Sequence, residues 1–392
     1  MTDRDALKQR VCASIDARRD ILLDISHRIH ADPELGFAEH HAHDLLTGAL
    51  VDAGVETTPG AFDLPTAFRA EAGSVGPTIA VFCEYDALPD IGHACGHNII
   101  AAAGLGAALA LAEVVDDAGG RVVALGSPAE EGGAGKVLML QRGALDGIDA
   151  AMMVHPADRD LVSMDTLAIQ QVSARYVGQS AHAAAFPWKG RNALDAAVLG
   201  YVNVAAMRQH ISPKERVHGI FTRAGDRPNI VPREAETFWY VRAADMAGLE
   251  ELNARVSACL RAGADAAGCE YHETWQPNPY AELRDNAPMV EAYIANTARL
   301  GRTVVDSSVA GGVMGSTDMG YVSYVVPSIH PMIRVAPAGV SIHSPAFAEY
   351  AGAESGDQAV LDGAKALAMT VVDLWTDAAL LQRTRDAFSP PA

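Results

Sequence analysis

The chain has 392 residues, of which 49% are hydrophobic and 6% aromatic, a composition typical of a globular enzyme and unlike that of a disordered or fibrous protein. Its 49 acidic and 30 basic residues give a formal net charge of −19, which disfavours nucleic acid or an anionic membrane as a partner. The five cysteines are scattered, and no basic flank precedes an apolar segment at the N-terminus. We therefore expect reduced thiols and a cytoplasmic location.

The first part of the chain alternates helical periodicity with short apolar runs. The periodicity predicts helices over four segments, 4–30, 36–53, 98–116 and 135–143. The apolar runs predict strands at 78–83, 121–127 and 150–156. Continuous apolar strands separated by helices indicate an α/β domain with a mostly parallel sheet covered by helices. Ligands of such sheets gather beyond the carboxyl ends of the strands.

From about residue 168 the pattern becomes that of half-exposed antiparallel strands. Three such strands are predicted in LAIQQVSARYVG, at 216–225 and at 235–243, and two helices at 192–209 and 247–267. Two helices on one face of a small antiparallel sheet make an α+β domain. We therefore predict an α/β domain, 1–167 and 284–392, that is interrupted by an inserted α+β domain, 168–283.

Four separate stretches carry side chains that suit a metal site: Cys95 and His97 in GHACGHN, Glu130 and Glu131 in SPAEEGG, His155 in MVHP, and His343 in SIHSPAF. Taken singly, each has a simpler explanation, such as a small buried thiol, a solvated acidic turn or a hydrogen-bonded histidine at a strand end. Together, thiolate, imidazole and carboxylate are the usual donors for zinc and similar divalent ions. Gly96 permits the sharp turn that would let both of its neighbours reach one ion.

A glycine-rich stretch, GSTDMG, follows later in the chain. It lacks the lysine of a phosphate-binding loop and does not open a clear helix. We interpret Ser316, Thr317 and Asp318 as a substrate-pocket loop and not as a nucleophile site.

Several of these motifs, in this order, resemble the M20 metallopeptidase family. They are CEYDALPDIGHACGHN, GSPAEEGG, GQSAHAAAFPWKGRNALDA, NIVP, GSTDMGYVSYVVPSIHP and SIHSPAF. Within the family they are similar to the amidohydrolase branch typified by p-aminobenzoyl-glutamate hydrolase and β-alanyl-lysine dipeptidase-like proteins. The resemblance runs from about Pro33 to Phe347 and covers most of the chain.

The resemblance implies a catalytic domain with two divalent metals and an inserted lid domain that also forms a homodimer. The implied metal ligands are Cys95, His97, Glu131, His155 and His343, and the implied general base is Glu130. Many relatives have a His-x-Asp pair whose aspartate bridges the metals, whereas Cys-Gly-His stands in that place here. The bridging ligand therefore stays open, as does the choice between Zn²⁺ and Mn²⁺.

The resemblance also assigns roles to residues of the inserted domain. His182 would stabilise the oxyanion in the active site of the partner subunit, and Asn229 and Arg242 would bind the substrate carboxylate. Without the resemblance, the preferred interpretation of His182 is a cap of the helix that begins near Asn192, and Arg242 could equally be an exposed charge at a strand end.

The expected function is that of a binuclear metal-dependent hydrolase. It would cleave an amide bond of a small N-acyl amino acid, acyl-glutamate or dipeptide through a metal-activated water, with Glu130 as general base. Two alternatives belong to other classes: a catalytically silent metal-binding dimer, and a hydrolase that uses Cys95 as its nucleophile.

Overall fold

The computed structural model describes residues 3–307 and 314–388, and the chain divides into two compact units. Within the described residues, the first unit contains the residues up to Asp165, those from Leu283 to Met314 and those from Asp318 onward. The second unit contains 166–282 and a short return segment, 315–317. The short strands Asp165–Thr166 and Met314–Gly315 lie where the chain passes from one unit to the other.

A six-stranded sheet forms the centre of the first unit. Its strands lie in the order Glu56–Pro59, Phe68–Ala72, Arg121–Ser127, Thr78–Glu84, Ala150–Met152 and Ser328–Ile329. The last four of these pair in parallel, and the first two are antiparallel additions at one edge. A separate parallel pair joins His155–Ala157 to Met332–Arg334. The prediction of a mostly parallel sheet is therefore confirmed.

Helices cover both faces of this sheet. They are Arg4–Ala17, Arg19–Ala31, His40–Asp52, His97–Ala112, Val115–Ala118, Glu130–Gly133, Gly135–Gln141, Ala287–Ala298, Met319–Val325, Pro345–Ala351, Glu354–Thr376 and Ala378–Asp386, with a 3₁₀ turn at Ala61–Asp63. Alternate residues of the strand Thr78–Glu84 belong to two different apolar clusters, with Ile79 and Val81 in one and Ala80 and Phe82 in the other. The strand is therefore buried on both sides, which explains its unbroken apolar sequence.

The helix His97–Ala112 lies close to the central strand because of one glycine. A Cβ at Gly104 would approach the Phe82 carbonyl oxygen to 2.6 Å and the Cys83 Sγ to 2.7 Å. The missing side chain lets the helix pack against the strand end that precedes the polar loops. Nearly every side chain of this helix is buried.

Three local predictions were wrong. The helix predicted over 4–30 is broken at Arg18, where the backbone leaves the helical region. The strand predicted over 150–156 is two strands, because the chain changes partner from Ser328–Ile329 to Met332–Arg334 after Met152. The GSTDMG stretch does open a helix, Met319–Val325, directly after Asp318.

The second unit is an α+β unit with one antiparallel sheet. Its strands lie in the order Glu270–Trp275, Ala168–Val177, Glu234–Ala243 and Arg216–Arg223. Two helices, Ala193–Met207 and Met246–Ala267, pack together over a core that contains the buried Tyr176, Trp239 and Leu260. Short 3₁₀ turns lie at Pro187–Lys189 and Arg208–His210. Arg216–Arg223 is an edge strand whose outer edge pairs with no other strand of the described residues.

No helix within residues 3–307 and 314–388 has the length and apolar character that crossing a membrane would require.

Candidate metal centre

The five predicted metal ligands lie in two groups that share one sulfur atom. Cys95, His97 and His155 form one group, and Cys95, Glu131 and His343 form the other. Within each group the donor atoms lie within 4.8 Å of one another. The Cys95 Sγ belongs to both groups, and His97 and Glu131, one from each group, form a third close group with Glu130.

The loops that carry these donors are tied to one another by backbone contacts. Gly96, with φ 77°, ends the first loop and precedes the helix that begins at His97. A Cβ at Gly96 would lie 2.9 Å from the side chain of Pro156, next to His155. The backbone N–H of His343, a residue with a positive φ of 60°, donates to the Ala94 carbonyl oxygen at 2.9 Å. These contacts bring candidate ligands that are distant in sequence close to one another.

Both histidines of the first donor group, His97 and His155, use Nδ1 for a hydrogen bond and keep Nε2 for a metal. His97 donates from Nδ1 to Asp86 Oδ1 at 3.1 Å, and His155 donates from Nδ1 to the Pro156 carbonyl oxygen at 2.8 Å. Their Nε2 atoms remain as lone-pair donors, and that of His155 lies 3.4 Å from the Cys95 Sγ. Burial lowers the pKa of His155 to about 4, which keeps the imidazole neutral near pH 7. Hydrogen bonds of this kind orient metal-binding histidines.

Asp86 was not singled out from the sequence, although it lies within the quoted CEYDALPD motif. Its Oδ1 binds His97, and its Oδ2 accepts the backbone N–H of Glu131 at 2.9 Å. One carboxylate therefore orients a ligand from each of the two donor groups. Its position two residues beyond an apolar strand, at the carboxyl end of the sheet, is the signal that could have identified it.

The turn with Glu130 and Glu131 is bracketed by two alanines in the left-handed region, Ala129 with φ 55° and Ala134 with φ 52°. The Ala129 N–H donates to the buried carboxylate of Glu39 at 2.8 Å. Positive φ angles at non-glycine residues carry strain and tend to occur at functional sites, where surrounding contacts hold them. This turn gives the two neighbouring carboxyl groups different surroundings.

The surroundings move the pKa values of these two carboxyls apart. Burial, and then the nearby charges of Glu84, Glu131 and Asp318, raise the pKa of Glu130 well above its usual range. Burial acts on Glu131 in the same direction, but its hydrogen bond with His343 and the charge of His97 lower its pKa to about 2. The His343 Nε2 lies 3.2 Å from Glu131 Oε1. Glu131 is therefore favoured as the ionised carboxylate of the pair, and Glu130 as the one with the greater proton affinity.

In the second unit, His182 and Asn229 lie on neighbouring segments. The Ala183 N–H donates to the Asn229 carbonyl oxygen at 3.1 Å, and His182 Nδ1 accepts the Ala185 N–H at 3.2 Å. His182 is exposed within its unit. It does not cap the helix Ala193–Met207, since the Asn192 side chain accepts the N–H groups of the first turn. The capping alternative for His182 is therefore wrong.

Arg242 and Ser316 also lie together in the second unit. Arg242 is half-buried and donates to Ser316 Oγ at 3.3 Å, and Ser316 donates in turn to the Leu167 carbonyl oxygen at 3.0 Å. Burial lowers the pKa of the Arg242 guanidinium from its usual value. This arginine is therefore more than a solvated charge at a strand end. Thr317, the next residue of the loop, is buried.

Comparison with known proteins decides the family. Residues 82–372 match the model of the peptidase family M20/M25/M40. The chain belongs to the M20 peptidase family.

Two curated relatives of this M20 chain are similar over nearly their whole length. The chain is 39% identical to the Xaa-Arg dipeptidase of Mus musculus, with 98% of this chain and 92% of the relative aligned. It is 30% identical to one of the subunits of the p-aminobenzoyl-glutamate hydrolase of Escherichia coli, with 94% and 92% aligned. The chain is accordingly a metal-dependent amide hydrolase, which leaves the silent-dimer and thiol-nucleophile alternatives without support.

A solved structure shares the fold of this M20 chain. A dinuclear metal-binding M20 peptidase from Bacillus subtilis superposes with a TM-score of 0.71 at 21% identity, covering 91% of this chain and 99% of that one.

One predicted substrate residue of the M20 chain lies elsewhere than expected. Asp318 is fully buried, and both of its oxygens are bound by Lys136, Oδ1 by Nζ at 2.6 Å and Oδ2 by the backbone N–H at 2.9 Å. The same ammonium group contacts Glu84 Oε1, at the end of the central strand. These contacts argue against a direct role of Asp318 in substrate binding.

Proposed function

We propose that this M20 chain is a binuclear peptidase that hydrolyses the amide bond of small dipeptides and related N-acyl amino acids, with two Zn²⁺ or Mn²⁺ ions per chain. The observation that carries the proposal is the pair of donor groups that share Cys95, with Glu130 beside them. Glu130 forms a third close group with His97 and Glu131. One sulfur, three imidazoles and a carboxylate fit two divalent ions, and the thiolate favours zinc by its softness.

The chemistry assigned to the chain's own residues centres on Glu130. Divalent ions held by the two donor groups would polarise the scissile carbonyl and lower the pKa of a water toward ~7. Glu130 takes the proton from the attacking water and transfers it to the leaving amine. Its burial and raised pKa support this role, because a carboxylate with a higher proton affinity is a stronger base. His182 is proposed to stabilise the oxyanion, a contribution of ~3–4 kcal/mol for one donor.

For the substrate, we propose a dipeptide with a cationic C-terminal residue in preference to an acyl-glutamate. The relative with 39% identity is named a Xaa-Arg dipeptidase, whereas the relative with 30% identity is named for p-aminobenzoyl-glutamate. The net charge of −19 supports the same preference, because it attracts a cationic substrate and repels an anionic one. Asn229, Arg242, Ser316 and Thr317 are proposed to bind the substrate, with Arg242 paired to its carboxylate.

We also propose that the second unit forms the interface of a homodimer and serves as the lid. Its helix Ala193–Met207 exposes Val198, Leu199 and Val202, and its edge strand exposes Ile220 and Phe221. Large apolar side chains grouped on a helix face and an unpaired strand edge are typical of surfaces that another protein covers. A second copy of the same chain offers a matching strand edge.

The experiment that tests the proposal combines metal content with activity. Protein purified without chelator is analysed by plasma mass spectrometry and assayed on a Xaa-Arg and a Xaa-Glu dipeptide. We expect about two Zn or Mn ions per chain, loss of activity on chelation and recovery when the ion is returned. Glu130→Gln is expected to keep both ions and to lose activity.

Full hydrolysis by chelated, metal-free protein would contradict the metal mechanism, and full activity of Glu130→Gln would contradict the assignment of the base. Faster cleavage of Xaa-Glu than of Xaa-Arg would overturn the substrate assignment and leave the metal centre standing.

A further inference from the structure

Next to the metal centre, a lysine and two acids are completely buried. We call Glu84, Lys136 and Asp318 the buried triad. Their side chains have no exposed surface, and Lys136 Nζ contacts both Glu84 Oε1 and Asp318 Oδ1. Buried lysines are costly unless they are paired. The contacts with Asp318 and Glu84 raise the pKa of Lys136 against the effect of burial, so the ammonium keeps its charge.

The triad reaches the metal centre through Glu84. Lys136 contacts one oxygen of this carboxylate, Oε1. The other oxygen, Oε2, lies 3.7 Å from His97 Nε2, and it has no hydrogen-bond partner among residues 3–307 and 314–388. Nε2 is the atom that His97 offers to a metal, since Nδ1 is bonded to Asp86. With metal–ligand bonds of about 2.0–2.2 Å, two ligands of one ion lie about 3–4 Å apart. The second oxygen of Glu84 therefore lies at ligand spacing from a ligand atom.

Glu84 nevertheless stands outside the close donor groups, which contain Cys95, His97, Glu130, Glu131, His155 and His343. A buried, anionic oxygen at this distance would bind a divalent ion unless something held it back. Among the described side-chain interactions of Glu84, Oε1 forms an ion pair with Lys136 and Oε2 lies 3.7 Å from His97 Nε2, so Lys136 is the cation that holds the carboxylate on the side away from the metal ligands.

We propose that Lys136 is a positioning residue that keeps Glu84 out of the coordination sphere of the metal next to His97, so that one coordination position stays free for catalysis. The proposal rests on the proposed binuclear centre. Catalytic metal sites differ from structural ones in keeping an open position, and a fourth protein ligand closes it. Lys136 acts on the metal only through Glu84.

The proposal predicts opposite changes in metal affinity and in turnover. Without Lys136, Glu84 is free to bind the ion, so the metal is held more tightly while the open position is lost. A lysine that serves only to hold the fold, or to shape the Glu130–Glu131 turn, would instead weaken metal binding and turnover together. The sign of the change in metal affinity therefore separates the two roles.

The test compares wild type with Lys136→Met/Asp318→Asn, a pair that removes the lysine without leaving Asp318 unpaired. Zn²⁺ affinity is measured by competition with a chromophoric chelator, and kcat and KM on a Xaa-Arg dipeptide. We expect Zn²⁺ to bind about tenfold or more tightly and kcat to fall about 100-fold, effects of the size that neighbours of metal ligands produce. KM is expected to change little, because the substrate-binding residues are untouched.

The decisive variant adds Glu84→Gln to that pair, which makes the whole triad neutral. With no carboxylate left to bind the ion, both Zn²⁺ affinity and kcat are expected to return to within about threefold of wild type. The single variant Glu84→Gln, in which Lys136 keeps Asp318 as partner, is expected to retain two ions per chain. Loss of an ion from Glu84→Gln would show that Glu84 is itself a ligand and overturn the proposal.

A second buried lysine supplies the matched control. Lys8 Nζ binds Asn296 Oδ1 at 2.8 Å and Asp373 Oδ2 at 2.7 Å, on helices that contribute no residue to the donor groups. Lys8→Met/Asp373→Asn is expected to leave Zn²⁺ affinity unchanged. Weaker Zn²⁺ binding in Lys136→Met/Asp318→Asn, without rescue by Glu84→Gln, contradicts the positioning role.

The outcome is independent of the substrate assignment. If the wild-type chain binds two ions but cleaves no Xaa-Arg dipeptide, the proposed substrate is wrong. The changes in Zn²⁺ affinity still decide the role of Lys136 in that case. A wild-type chain that binds no ion overturns both proposals.

Discussion

In the first unit, the polar side chains assigned to chemistry are mostly buried and are held from behind by hydrogen bonds, as His97 is by Asp86. In the second unit, His182 is exposed and Arg242 half-buried. Contacts within the first unit therefore fix the positions of its candidate metal ligands. His182 and Arg242 are thus less buried than the donors of the first unit, and their proposed roles depend on a substrate or on another subunit. The exception is His343, whose side chain is 49% exposed although it belongs to the donor set.

The largest effect that this contrast predicts is that of Cys95→Ala. Because the thiol belongs to both donor groups, its loss is expected to release both ions and to abolish hydrolysis. The fall in metal affinity should exceed 100-fold, since even indirect partners of ligands are worth about 10- to 100-fold. Metal content and turnover measure it, and Cys83→Ala, at a buried thiol outside the donor groups, is the control. Retention of one ion per chain would show that Cys95 serves a single site.

A smaller effect is expected from His182→Ala, which tests the second unit. Removing one donor to an oxyanion lowers kcat by about 10²- to 10³-fold, while metal content stays at the wild-type value. Steady-state kinetics and plasma mass spectrometry report the two quantities separately. His210→Ala, another exposed histidine of this unit, serves as the control. The contrast between the units breaks down if His182→Ala loses metal.

Asp86→Asn is expected to have a weaker effect than His182→Ala. It should lower metal affinity, which His182→Ala leaves unchanged. The amide retains one acceptor oxygen, so it cannot serve both His97 Nδ1 and the Glu131 N–H as the carboxylate does. Zn²⁺ affinity should fall about 10- to 100-fold. Asp90→Asn, at an exposed position of the same loop, should bind Zn²⁺ as wild type does. An unchanged affinity for Asp86→Asn would mean that the ligands hold their orientation without this residue.

The smallest effect on the single chain is expected from Val202→Asp. Val202 is 54% exposed, so the substitution should change the free energy of unfolding by no more than about 0.5 kcal/mol. It should nevertheless shift the sedimentation-equilibrium mass from dimer to monomer, since a charge would be buried in the proposed interface. Val51→Asp, at an exposed valine of the first unit, should leave the mass unchanged. A dimeric Val202→Asp protein would place the interface elsewhere.

The sequence was sufficient for the fold class, which depends on strong local patterns, whereas the assignment of individual metal ligands rested on the family resemblance and stays a prediction. Unbroken apolar runs such as 121–127 mark strands that are buried on both sides, and the structure has a strand with these bounds, Arg121–Ser127. The short Cys95–His97 spacing and the paired glutamates pointed to one site. The five ligands do meet in space.

The rest depended on contacts between residues that are distant in the sequence. Asp86 is one aspartate among many until its two partners, His97 and the Glu131 N–H, are brought to it by different strands. Asp318 looked like a substrate residue because its buried partner, Lys136, lies 182 positions away in the chain. The break at Arg18 is likewise set by packing, since the apolar periodicity continues on both sides of it.

The two left-handed alanines around Glu130 and Glu131 have a consequence for how this enzyme could be altered. Glycine would adopt these backbone angles at less cost, by about 1–2 kcal/mol at each position. It would also widen the range of shapes that the turn explores, because glycine lacks the Cβ that confines alanine. Compared with glycine, alanine at 129 and 134 therefore carries more backbone strain but makes the turn with Glu130 and Glu131 more rigid. On backbone strain alone, glycine would be favoured at both positions, and the turn that holds Glu130 and Glu131 would then be less confined.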